Sequence, residues 1–202
     1  MSRPANPELV ESIIKLSLKL IQENGVQKLS MRLLADQAGI SSTTIYYYFR
    51  NKDELLEQIH LRGIRNMDDY INTRIKNRSS PKNQLRQLVT GFIDWCTKNP
   101  FLAKLMFEDM TSNPSFNPQT THKYYSTFYR AVHIIRSGNE SGDFKVKEEA
   151  IFVTVCFAWL YGLVNLHIHN TFIPDHRNKL DELTNYVMDF IFHQIELSKV
   201  KI

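Results

Sequence analysis

Residues 30–56 read SMRLLADQAGISSTTIYYYFRNKDELL, and the fold is decided here. Leu33, Leu34 and Ala38 recur at helical spacing, Gly39 is at ease with positive φ, and Ser41 stands where its hydroxyl can accept a backbone N–H from the next helix. The expected result is a helix, a tight turn and a second short helix. Ala35 and Ala38 are small enough for the two to approach closely, while Ile40, Ile45 and Phe49 supply the apolar face that holds the second helix down. Its remaining face is left to Ser42, Thr43, Thr44, Tyr46, Tyr47 and Tyr48, which carry hydroxyls and no negative charge. A helix presented in this way can enter a major groove and offer donors to phosphates and base edges. Successive helical residues are about 100° apart, so the three tyrosines cannot all serve one role.

Those residues carry a family resemblance. Ala35, Ala38-Gly39-Ile40-Ser41, Ile45-Tyr46, Tyr48-Phe49, Lys52 and Leu55-Leu56, preceded by Gly25 and Ser30, resemble the DNA-binding domain of the TetR family of bacterial transcriptional regulators. The resemblance implies an all-α homodimer whose three-helix N-terminal domain reads a palindromic operator through its third helix. It also implies a larger C-terminal helical domain that senses a small-molecule effector and dimerises. By the same resemblance, Ser30, Ser41, Thr44, Tyr46, Tyr48 and Lys52 would hold phosphates, and Arg32, Ser42, Thr43 and Tyr47 would lie nearest base edges. Thr43 stands where family members commonly carry Gly or Pro, so operator sequence does not carry over from relatives. Lys52 has local support as well. Asn51 can cap the next helix and Glu54 complete a capping box, and the free N–H groups of such a start favour an anion.

Composition agrees with a DNA-binding head. The chain has 202 residues, 43% hydrophobic, and a formal net charge of +4. Seven basic and four acidic residues fall in 1–52, against 18 and 17 in the other 150, so most of the excess lies with the motif. Cys96 and Cys156, the only cysteines, sit in apolar helical surroundings, which points to buried thiols in a reducing, cytoplasmic compartment. Met1–Asn6 is polar and shows no secretory leader. The run Ala150–Val164 ends at Asn165 and His167 after 15 residues; it is short for a membrane span and reads as a buried core helix.

Three segments are expected: the DNA-binding domain at 1–51, a connecting helix within 52–80 and the C-terminal domain at 81–202. Asn6-Pro7-Glu8 starts a first helix that stops at Asn24-Gly25. The fourth helix should run from Lys52 to about Arg78, where Ser79-Ser80-Pro81 breaks it, and a change in its tilt would carry a signal. Further helices are expected at 82–98, 100–112, 119–137, 146–170 and 177–198, with no strands.

Of the 23 aromatic residues, 19 follow residue 66, which suits either a large helical core or an apolar effector pocket. Pocket candidates are Phe92, Trp95, Met106, Tyr124, Phe128, Phe152, Trp159 and Asn165. Phe92-Ile93-Asp94-Trp95, Asn99-Pro100, Leu105-Met106-Phe107 and Ala158–Leu163 resemble a C-terminal domain of some TetR-type regulators. There the last run usually reads Trp-x-x-His-Gly, and Tyr161 here replaces the histidine. Gly162 in mid-helix costs about 1 kcal/mol relative to alanine, a cost that a close helix contact would offset. Leu180, Leu183, Val187, Phe190 and Ile191 repeat near helical period and, with the 146–170 helix, would build a four-helix dimer interface. His167 and His169 are two apart, hence on different helix faces. No Gly-rich phosphate loop, metal-ligand spacing or nucleophile set stands out, so no cofactor, metal or catalytic residue is expected. Two alternatives to an effector-released repressor are a redox-responsive regulator using Cys96 and Cys156, and an enzyme using the aromatic cavity.

Overall fold

The computed structural model describes residues 6–76, 78–109 and 126–197, which are helical without strands. They fall into two compact units, Met1–Ile64 with Leu105–Pro118, and Arg65–Lys104 with Gln119–Ile202.

In the first unit, α1 (Pro7–Asn24) starts where the Asn6 side chain accepts the N–H groups of Glu8 and Leu9. It stops at Gly25, whose φ of 80° breaks the helix, and a 3₁₀ turn at Val26–Lys28 leads on. Helix α2 (Met31–Ala38) is capped by Ser30 and α3 (Ser42–Tyr48) by Ser41. Between them Gly39 is left-handed at φ 65°; its N–H bonds the Asp36 carbonyl and the Ile40 N–H bonds that of Ala35. This Schellman arrangement satisfies the end of α2 and turns the chain sharply enough to start α3 two residues later. Ile13, Ile14 and Ile21 of α1, Leu34 and Ala35 of α2, and Ile45 with Phe49 form a closed core with Leu55, Leu56 and Ile59 of α4 (Lys52–Asn72). Burial of these side chains, at about 1.5–3 kcal/mol each, fixes the angle at which α3 is held. A π-helical turn at Leu105–Asp109 joins this unit, burying Met106 against Gly63, where an added Cβ would lie 2.3 Å from the sulfur.

In the second unit, α5 (Pro81–Lys98), α7 (Ser126–Glu140), α8 (Glu149–Ile168) and α9 (Leu180–Leu197) pack together, with the short α6 (Pro100–Lys104) after α5. Trp95 and Cys96 are fully buried, and the Trp95 indole donates to Asn66 Oδ1 at 2.8 Å. Gly138 lets the ring of Phe144 lie on α7, since a Cβ there would be 1.9 Å from the ring.

Several boundaries differ from the expectation. Helix α4 ends at Asn72 instead of near Arg78, because Thr73 Oγ1 takes the Tyr70 carbonyl and Arg74 folds back over the Tyr70 ring, 3.6 Å from its centre. The helix expected at 100–112 is α6 followed by the π turn. Helix α7 continues past Ser137 to Glu140; the helix expected from 119 to 125 and the loop expected from Thr111 to Pro118 lie outside the described residues. Asn139 bonds both the N–H and the carbonyl of Val146, so α8 begins only at Glu149. Pro174 starts a 3₁₀ turn, which delays α9 to Leu180.

Candidate nucleic-acid interface

Helix α3 buries Ile45 completely, and Phe49, four residues on at the helix end, closes the same side. Ser42, Thr43, Tyr46 and Tyr47 are exposed on the opposite side, the two tyrosines at 52% each. No acid lies between Asp36 and Asp53, so the whole turn and reading helix present hydroxyls and N–H groups without a repelling charge. Arg32 is exposed on α2.

The flanking residues are more committed. Ser30 Oγ accepts the Leu33 N–H at 3.1 Å, and Ser41 Oγ accepts that of Thr44 at 3.1 Å. The Ser41 and Thr44 hydroxyls are 2.8 Å apart, so one donates to the other and a single hydroxyl hydrogen of the pair is left for a phosphate. Tyr48 is less exposed than Tyr46 and Tyr47: its oxygen accepts the Asn6 N–H at 3.3 Å, at the start of α1, and its ring meets that of Tyr47 edge-on at 5.0 Å. Its own O–H remains a donor. The three consecutive tyrosines thus divide into an outward pair and one tied to α1.

Lys52 is held by the protein's own backbone. Its ammonium donates to the carbonyls of Val26, at 2.7 Å, and Gln27, at 3.4 Å, bracing the 3₁₀ turn against the start of α4. Burial lowers its pKa from the ordinary lysine value, against the opposing pull of Asp53. These two bonds use two of its three N–H donors. The expected capping box is likewise modified. Asn51 Oδ1 caps the Glu54 N–H at 2.9 Å, but the Glu54 carboxylate reaches the backbone N–H and the Nε of Arg50, at 2.7 and 3.0 Å, one residue before the cap. The Arg50 N–H bond chiefly holds the Glu54 carboxyl below its ordinary pKa.

In the second unit the expected interface and pocket residues sort differently. On α9, Leu183, Val187 and Phe190 line one side with Tyr186, which is 69% exposed, and Leu180 lies half-buried one turn earlier. Ile191 points the other way, into the protomer's own core with Met188, Phe192 and Ile195, and is 1% exposed. Tyr186, missed in the sequence, follows from its three- and four-residue spacing to Leu183 and Phe190.

Helix α8 also departs from expectation. It is 20 residues long, enough by length and composition to cross a membrane, and is not a buried core helix. Only Val153, Leu160, Leu163 and Val164 are buried, whereas Ile151, Val155, Trp159 and Leu166 form an exposed apolar stripe. Gly162 lies on that stripe, and a Cβ there would meet nothing within 4 Å in the protomer. Trp159 packs edge-on to Phe190 at 4.8 Å, extending the stripe onto α9.

The pocket candidates do not converge. Phe92 and Trp95 are core, Phe92 packing on Phe157 at 5.8 Å; Met106 belongs to the first unit; Trp159 faces outward. Phe128, Phe152 and Asn165 are half-buried, and Tyr124 lies outside the described residues. The redox alternative finds no support here: burial pushes both thiols, Cys96 and the half-buried Cys156, up to about 12.

A short hydroxyl-faced helix, carried across a left-handed glycine on a closed helical core, defines a helix-turn-helix DNA-binding transcriptional regulator. Residues 13–59 match the family described as bacterial regulatory proteins, tetR family. That match makes the N-terminal part of the chain a TetR-type DNA-binding domain. It is similar to an HTH-type transcriptional regulator of Haemophilus influenzae, 46% identical over 56 residues, which span 28% of this chain and only 30% of that relative. The fatty acid metabolism regulator protein of Bacillus subtilis is 21% identical over 180 residues, 89% of this chain and 91% of the relative. The crystal structure of the Bacillus subtilis regulator FadR in complex with stearoyl-CoA has the same fold, with a TM-score of 0.75 at 21% identity, covering 92% of this chain and 98% of that one.

Proposed function

We propose that the protein is a cytoplasmic homodimeric repressor that binds a palindromic operator and is released by a small amphipathic effector. The exposed apolar stripe of α8 carries this reading. Ile151, Val155, Trp159, Gly162 and Leu166, with Leu183, Tyr186, Val187 and Phe190 of α9, are too apolar to face water comfortably, and a second copy would cover them as a four-helix bundle. Gly162 would allow the closest approach at the centre of the stripe. Two reading heads related by a two-fold axis then meet half-sites about one helical turn apart.

On each head, Ser42, Thr43, Tyr47 and Arg32 are assigned to base edges, and Ser30, Ser41, Thr44, Tyr46, Tyr48 and the remaining Lys52 donor to phosphates. Tyr46→Phe should weaken binding to all sequences alike, and Thr43→Ala or Tyr47→Ala should alter which site is preferred. Effector binding would favour a spacing of the heads that no longer fits the operator, a population shift in which the ligand need only prefer one arrangement. The similarity to the Bacillus subtilis proteins makes long-chain acyl thioesters the first effectors to test. The test is operator binding by purified protein titrated with stearoyl-CoA and with unrelated apolar compounds. Release by one of them, without turnover, is the expected result. An operator complex insensitive to every compound that raises the melting temperature would refute effector control.

A further inference from the structure

We infer that Arg50 is a phosphate clamp at the far end of the reading helix, and that Glu54 holds its guanidinium in place for that contact. This rests on the DNA-binding reading of the head and gives it a charged contact beside its hydroxyls. Between Asp36 and Asp53 only Arg50 and Lys52 carry formal charge. Their placements differ. The Lys52 ammonium turns inward, to the carbonyls of Val26 and Gln27. The Arg50 side chain is 86% exposed and comes three residues after Tyr47 and four after Tyr46, both of which stand outward themselves.

A single carboxylate oxygen fixes Arg50. Glu54 Oε2 accepts the Arg50 backbone N–H at 2.7 Å and its Nε–H at 3.0 Å, and the Glu54 side chain is only 26% exposed, so the cation is the outer member of the pair. Glu54 is anchored in turn, because Asn51 Oδ1 caps its N–H at 2.9 Å in the first turn of α4. Holding the guanidinium by Nε leaves the four N–H groups of its two terminal nitrogens, the planar fork that suits a phosphate. Among the described residues none of these four is bonded. Tying the side chain back to its own backbone also lowers the rotamer freedom lost when a phosphate binds. A helix seated in a major groove about 12 Å wide has a phosphate strand on either side, and the chain leaving its end must cross one. Arg50 is the first residue past the Phe49 cap of α3, at that crossing.

The test is binding of the full chain to a duplex that the wild type selects from a random library, and to a scrambled duplex, from about 50 to 200 mM salt. Unliganded melting curves check that each variant is folded. Arg50→Gln is expected to weaken binding to both duplexes about tenfold or more, and to flatten the slope of log K against log salt by about 0.9 for each head bound. Glu54→Ala removes an acid and would tighten binding if charge alone mattered. It is expected instead to weaken binding about threefold or more, and to have no further effect once Arg50 is replaced by Gln. An unchanged salt slope in Arg50→Gln overturns the clamp. Tighter binding by Glu54→Ala, or an equal loss with and without Arg50, overturns the positioning role of Glu54. A wild type that binds no duplex overturns the DNA-binding reading itself, whereas a wild type that binds while both variants match it leaves that reading standing and removes Arg50 from it.

Discussion

The reading head and the α8–α9 face are both built from short runs of apolar and aromatic residues, yet they finish in opposite ways. In the head, Ile45 and Phe49 are buried and the outward side of α3 is left to hydroxyls, so the protomer completes its own core and exposes only groups that suit an anionic surface. On α8 and α9 the protomer buries one side and leaves Trp159, 39% exposed, and Phe190, 47% exposed, on the other. The first region is finished as a single chain, and the second calls for a partner. The difference teaches that exposed aromatics mean different things according to what surrounds them: Tyr46 and Tyr47 stand among serine and threonine, Trp159 and Phe190 among isoleucine, valine and leucine.

The comparison is most sharply broken by truncating the head's core. Ile45→Ala should cost about 2–5 kcal/mol, because the site is fully enclosed and relaxes little. Thermal or urea unfolding would measure it, and a loss well under 1 kcal/mol would mean that α3 is not held as described. Acid should act on the same unit through His60, a buried side chain on α4 whose pKa burial pushes down to about 4. The unfolded chain takes up this proton first as the pH falls below the ordinary value of 6.5, so the neutral folded form loses stability down to about pH 4 and no further. About 2–3 kcal/mol should vanish between neutral pH and about pH 4.5, and His60→Gln should flatten that dependence. An unaltered pH profile in a folded His60→Gln protein would contradict it.

On the other face, Trp159→Asp should leave helix content intact and yield monomers by sedimentation. Operator affinity should fall about 100-fold or more, since each head then binds alone. A monomeric wild type would remove the contrast between the two regions. The smallest effect expected is that of Ser41→Ala, about 1 kcal/mol of stability from the lost cap on α3, read by thermal unfolding.

Local chemistry made the head legible in the sequence. Gly39, Ser41, Asn51 and the Leu33–Ala38 spacing act on neighbours within a few residues, and the structure realises the turn and both caps. What depends on distant partners was not legible. Lys52 spends its donors on carbonyls 25 and 26 residues earlier, which no spacing reveals. The outward side of α8 was hidden because the helix is apolar all round, leaving no moment to show which face turns inward. On α9, Phe190 and Ile191 differ by one residue, about 100° of rotation, and only the packing of Met188 and Ile195 decides which of them is core. Among the pocket candidates, aromatic content alone could not tell pocket from core, and Phe92 and Trp95 belong to a filled core.

The central claim is that the outward side of α3 selects the DNA sequence bound by this protein. Selection from a random duplex library by the wild type and by Tyr47→Ala tests it most directly. The prediction is a palindrome with half-sites about one helical turn apart for the wild type, and altered base preference within each half-site for the variant. Failure of the wild type to enrich any sequence, or an identical site selected by both proteins, would contradict it.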